Sequence, residues 1–174
     1  MFCVYTYLAD TMLAVTHASP AALPVVLAVF GAGMTVGTLV CAWAADRALM
    51  PAIGAILLWS AGALALYPLA IGELWTLMPV VFLIGCGGGL GAVLQTRLMD
   101  VAGEAQTLAA ALNHSAFNTA NALGPWLGGL AIAAGYGWAS TGWVGVALAL
   151  GGFAIWVVAA IDSRQQRLAL APAE

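Results

Sequence analysis

Charge is scarce in this sequence. Lysine is absent, four arginines and seven acidic residues supply all the formal charge of 174 residues, and charged residues amount to 6% against 64% hydrophobic. A soluble globular domain carries about 25% charged residues, so this chain cannot cover a water-facing surface. With so few basic residues a nucleic-acid patch is excluded. Cysteine is rare as well. Cys3, Cys41 and Cys86 lie far apart in apolar runs, with neither metal-ligand spacing nor a disulfide framework, and read as small packing residues. There is no dinucleotide fingerprint, P-loop or metal cluster, so no cofactor or metal is expected. No Lys/Arg-rich start and A-x-A site mark a cleaved signal peptide.

What the sequence does have is hydrocarbon, with a mean hydropathy of +1.03. This is the composition of a polytopic membrane protein. About 20 apolar residues are needed for a helix to cross roughly 30 Å of hydrocarbon. Apolar runs at about 1–16, 23–44, 51–71, 74–94, 107–134 and 143–161 predict six transmembrane helices, followed by a short tail at 162–174. The expected fold class is therefore an all-α membrane protein, a six-helix half-bundle of two three-helix repeats.

The arginines set the expected orientation. Arg47 separates spans two and three, Arg97 separates four and five, and Arg164 and Arg167 lie in the tail. All three segments fall on one side, which the positive-inside rule makes cytoplasmic, so both termini point inward across a cell (inner or plasma) membrane. Trp75, Trp138 and Trp143 then form an outer aromatic belt. The first span covers only about 24 Å, which places Met1 inside the bilayer, and about five residues are expected to be missing from that helix.

Polar groups inside spans are costly, so their distribution shows which helices face something other than lipid. The first run carries Tyr5, Thr6, Tyr7, Asp10 and Thr11, the second Thr35 and Thr38, and the fourth a glycine cluster, Gly85 to Gly91, before Gln95. The fifth is the most polar, and Asn113 is among its polar residues. The third and sixth are nearly bare. Four polar inner helices with two apolar outermost ones, the third and the sixth, give the layout of a transporter half built from triplets.

At 100° per residue Thr107, His114, Asn118, Asn121 and Pro125 share a stripe about 60° wide on the fifth helix. Interhelical hydrogen bonding is one use for such a stripe. A titratable imidazole within it favours a water-accessible substrate or proton path. Asp10 lies about 9 Å below the outer surface on the same counting, about 11 Å along the membrane normal from His114. The two would mark different depths of one pathway. Gly33/Gly37, Gly87/Gly91 and Gly124/Gly128 form close-approach faces, and Pro125 kinks the fifth span.

These residues carry a resemblance. "GPWLGG" (Gly124 to Gly129) is similar to the GP-x-x-GG core of the antiporter motif in helix five of drug exporters, here on the symmetry-related helix eleven. "AWAADR" (Ala42 to Arg47) resembles the G-x-x-x-D-R cytoplasmic loop of the major facilitator superfamily, with Ala42 in place of the leading glycine and the following Gly-Arg pair missing. The segment Leu94 to Gly129 is similar to chloramphenicol-resistance and arabinose-efflux-type exporters of the drug:proton antiporter branch. The resemblance implies helices seven to twelve of such a transporter. It implies proton-coupled efflux of a small drug by alternating access, with Tyr7, Asp10, Asn113, His114, Asn118 and Asn121 on the substrate or proton path. Asp46, Arg47, Gly124, Pro125, Gly128 and Gly129 would serve gating and helix packing. The implied partners are lipid, protons, a small-molecule substrate, and an amino-terminal six-helix half or a second copy of the chain.

Two other readings are a proton-coupled sugar or metabolite transporter of the same fold, and a fragment without transport activity alone. An intramembrane protease of the rhomboid kind is disfavoured. It needs G-x-S, whereas Leu58 precedes Trp59 and Ser60, and its nucleophile needs an adjacent base. The chain is not expected to be an enzyme.

Overall fold

The computed structural model describes residues 1–169, with the side chains of residue 164 and of 166–169 excepted. Arg164 and Arg167, on which part of the orientation argument leans, therefore lie outside the described side chains. The described residues are almost wholly helical: α1 (Phe2–Thr6), α2 (Leu8–Ala14), α3 (Leu23–Arg47), α4 (Leu49–Ala70), α5 (Leu74–Gly85), α6 (Leu90–Val101), α7 (Gln106–Ala131) and α8 (Ser140–Ala169). α8 thus stays helical well past residue 161.

Local chemistry sets the helix ends. The Ser19 hydroxyl accepts from the Ala21 N–H at 3.3 Å and Pro20 opens a 3₁₀ turn that runs into α3, the usual roles of Ser as cap and Pro at the first position. Arg47 closes α3, where a cation complements the helix dipole. Its guanidinium sits 3.5 Å from the Trp43 ring and donates to the Trp43 carbonyl. At the other end of the bundle the Thr16 hydroxyl donates to the Ile71 carbonyl at 2.7 Å.

Four helices are long and apolar enough to cross a membrane by length and composition: Pro20–Arg47, Leu49–Ala70, Leu74–Val101 and Ser140–Ser163. α7 is 26 residues long but too polar to join them, because of the residues that mark its stripe. The first helix is short and broken at Tyr7, where ψ reaches 10°. A second irregularity lies between α5 and α6, where Cys86–Gly89 tightens into a 3₁₀ turn in mid-helix, a common place for a hinge.

Two apolar cores lie at different depths. The larger one joins Val4, Leu8 and Met12 of the first helix to Phe30, Leu64, Tyr67 and Leu77. The smaller gathers Cys41, Ile53, Ile56, Leu57 and Val93. Glycine makes the tightest crossing possible. A Cβ on Gly37 would occupy the place of the Cys86 backbone, and one on Gly33 that of the Phe82 carbonyl, so α3 and the α5–3₁₀ segment touch backbone to backbone.

One expectation is overturned. α4 is not an outermost helix: it packs against α3, α5, α6 and α8 and buries Ile53, Leu57, Leu64 and Tyr67. α8, by contrast, is mostly bare beyond its first turns. Lipid tails are as apolar as leucine, so an apolar helix buried by protein reads the same as one bathed in lipid.

Candidate transport site

The first helix and α7 run parallel, side by side. Cys3 lies against Gly124 and Gly128, and Tyr7 against Gly128 and Gly129. The Tyr7 hydroxyl donates to the Pro125 carbonyl at 2.9 Å, and the Tyr7 ring packs on Trp138 with centroids 6.2 Å apart. Trp138 is thereby half-buried in the protein rather than free at an interface, while Trp75 and Trp143 are exposed.

This packing divides the polar residues of α7 into two sets. Asn113, Asn121 and Pro125 are half-buried on the side that meets the rest of the chain, whereas Thr107, His114 and Asn118 are exposed. Asp10 on α2 is exposed too, beside exposed Thr6 and Leu13. Asp10 lies seven residues beyond Cys3, and His114 ten residues before Gly124, against which Cys3 rests. At 1.5 Å per residue the two are about 25 Å apart along the helix axes, more than twice the separation counted from the sequence. Counting from Thr16 as the outer surface falls short because α1 rides high on α7, which brings Asp10 level with the end of α7.

Two of the inward set border a cavity of about 380 Å³. Asn113 and Asn121 line it, and so does Ser60 of α4, a residue that the sequence offered as the one small polar group of a nearly bare span and as the wrong serine for a protease. The Asn113 side-chain amide donates to the Gln95 side-chain oxygen Oε1 of α6 at 3.5 Å. Of the glycine run before Gln95 only Gly91 meets α7, at Phe117, while Gly85, Gly88 and Gly89 pack on α3. Asp46 and Arg47 sit together at the exposed end of α3, with Arg47 held on Trp43 rather than reaching towards α7. Among the described residues no group of His, Cys, Asp and Glu has the arrangement of a metal site.

Bent, glycine-crossed apolar helices with a polar face on two of them are the architecture of a carrier, and the sequence comparison agrees. Residues 1–174 match the Major Facilitator Superfamily. The chain belongs to that superfamily. It is a multi-pass membrane protein of a transporter superfamily. The inner membrane transport protein YdhP of Escherichia coli K12 is 34% identical over 139 residues, covering 79% of this chain and 36% of YdhP. The O157:H7 form of YdhP is 33% identical over the same span. The uncharacterized transporter YfhI of Bacillus subtilis is 38% identical over 82 residues, which is 45% of this chain and 19% of YfhI. The chain thus spans about a third of the length of the YdhP proteins it matches. No solved structure shows significant similarity.

Proposed function

We propose that this superfamily member supplies the carboxy-terminal half of a proton-coupled exporter of a small, largely apolar drug, with chloramphenicol the first compound to test. Its six helical segments form one half-bundle, both termini face the cytoplasm, and the protein resides in the inner or plasma membrane. The observation that carries this reading is the exposure of Thr107, His114 and Asn118 along α7, and of Asp10 on α2, in a chain otherwise mostly apolar. Hydrocarbon offers such groups no hydrogen-bond partners, so they need a cover that leaves water access. An amino-terminal half, or a second copy of the chain, would provide it.

Asp10 and His114 then serve opposite ends of one path. In alternating access a group near each mouth is open to water in one state only, so its proton affinity differs between states. That difference is what coupling requires: a site equally basic in both states drives nothing. The GP-x-x-GG sequence on α7 and the name of YdhP as an inner membrane transport protein support the same reading.

The test is accumulation of labelled chloramphenicol in cells that express the chain, alone or joined to the preceding part of YdhP, with and without a protonophore. Energised lowering of accumulation, lost in Asp10→Asn and His114→Ala at unchanged abundance, is the expected result. Protonophore-sensitive uptake would instead identify a symporter. Accumulation equal to that of empty cells in both forms would refute drug export.

A further inference from the structure

The geometry points to a phospholipid site on the flank of this chain, with one acyl chain in the groove between α3, α4 and α5 and an anionic headgroup at Arg47. The groove holds about 390 Å³, within the range of ligand pockets, roughly 300–1,000 Å³. Its shape is set by residues 36–86 alone. The first helix takes no part in it, because α1 packs on α7 and α8, neither of which lines the groove.

Val36, Val40, Ala55 and Trp59 border the groove and are exposed, so it opens sideways, where a membrane protein meets hydrocarbon. Phe82 and Cys86 complete the wall, where Gly37 brings α3 onto the backbone of the 3₁₀ turn. The strong hydrogen-bond donor of the lining is the Trp59 indole, and it already donates to the Leu83 carbonyl at 3.0 Å. No charged side chain lines the groove among the described residues. A polar or charged molecule would lie there without partners, at high cost. An acyl chain needs none.

The headgroup end follows from the register of α3. At 100° per residue its five lining positions, Val36, Gly37, Val40, Cys41 and Ala44, cover a sector of about 140°. Arg47 falls inside that sector one turn further on, and Asp46 falls about 80° outside it. From Val36 to Arg47 the rise is about 16 Å, half of roughly 30 Å of hydrocarbon, so the groove runs the depth of one leaflet. No carboxylate pairs with Arg47 among the described residues. Its guanidinium rests 3.5 Å from the Trp43 ring and donates to the Trp43 carbonyl. The remaining N–H groups of its planar fork suit a phosphate. Trp43 is itself exposed, an aromatic at the level where headgroups begin. Cys86 belongs to the 3₁₀ turn, so an acyl chain seated here touches the mid-helix hinge.

The experiment is photolabelling of the full chain in phosphatidylcholine nanodiscs with phosphatidylglycerol that carries a diazirine on one acyl chain, followed by peptide mapping. Phosphatidylcholine with the same diazirine chain is the second arm. Phosphatidylglycerol labels are expected on α3 between Val36 and Ala44 and on α4 at Ala55 and Trp59. They should exceed those of the phosphatidylcholine probe about fivefold, the factor that one basic residue near the surface supplies. At Ile155 and Val158, exposed on α8, the two probes should label alike. Arg47→Gln removes the difference between headgroups and Arg47→Lys keeps most of it. Ala55→Phe, a change at an exposed position, removes the groove labels. Equal labelling of the groove and α8 by both probes, unmoved by these substitutions, would overturn the proposal in favour of bulk lipid contact. Groove labels lost once the chain is joined to the preceding part of YdhP would overturn it too, because another helix then covers the groove. Neither readout involves chloramphenicol, so failure of drug export leaves this site standing.

Discussion

The Tyr7 hydroxyl is fixed between two features of α7: it donates to the Pro125 carbonyl at 2.9 Å and lies where a Cβ on Gly129 would be 2.5 Å away. The break in the first helix and the proline of α7 are thus joined by one side chain. Tyr7→Phe removes a membrane hydrogen bond worth about 0.6–2 kcal/mol and keeps the ring on Trp138. Gly129→Ala should cost more, because the new methyl meets the hydroxyl oxygen. In the double variant that oxygen is gone and the nearest ring carbon stands 3.6 Å from the methyl, an ordinary contact. Unfolding of the four proteins in a double-mutant cycle should therefore show Gly129→Ala nearly harmless when Tyr7→Phe is already in place. Additive losses would mean that the two residues do not meet.

Two glycines of α3 separate packing from propensity. Gly31 has nothing near its would-be Cβ, whereas Gly37 lies on the Cys86 backbone. Gly31→Ala should be neutral or stabilise by up to about 1 kcal/mol through helix propensity. Gly37→Ala should destabilise by about 1–3 kcal/mol or more, because backbone cannot move aside as a side chain can. Thermal unfolding in detergent measures both. Equal effects would show that α3 and the α5–3₁₀ segment are not in backbone contact.

Much of this architecture was readable before the structure, for reasons that also mark where reading stops. Scarce charge and long apolar runs dictate helices in a membrane, since only helices satisfy their own backbone there. Gly33 and Gly37 announced a close crossing by their spacing. The break at Tyr7 was not legible, because neither glycine nor proline marks it. Nor was the burial of α4, since hydropathy does not distinguish protein from lipid as cover. Periodicity put His114, Asn118 and Asn121 on one stripe of α7, but it could not say that Asn121 faces a cavity while His114 and Asn118 are exposed. That division is set by Cys3 and Tyr7 of another helix, and a helical wheel holds no information about the neighbour.

The cysteines provide a direct check of the packing. Cys3 and Cys41 are 2% and 5% exposed, and Cys86 is half-buried. The Cys3 thiol also donates to the Thr141 carbonyl at 3.1 Å. In single-cysteine proteins in detergent, Cys86 should react with a small maleimide first. Cys3 and Cys41 should stay protected until the bundle unfolds. Fast labelling of Cys3 in the folded protein would contradict the seating of the first helix on α7.

The orientation rests on few charges, so it calls for a test that does not depend on them. Loops joining consecutive helices alternate sides, which puts Ala21, Glu73 and Tyr136 on one face of the bundle and Ala48 and Glu104 on the other; all five are exposed. In a background free of native cysteines, Ala21→Cys, Glu73→Cys and Tyr136→Cys should react with a membrane-impermeant maleimide on intact cells. Ala48→Cys and Glu104→Cys should react only after permeabilisation. Arg47 and Arg97 flank the second group, so this outcome is the one expected if basic residues are retained on the cytoplasmic side. The reverse pattern would place both termini outside and would invert the direction assigned to any proton path through Asp10 and His114. Labelling of all five sites on intact cells would instead mean that the chain alone inserts in both orientations, which would make a covering amino-terminal half necessary to set its topology.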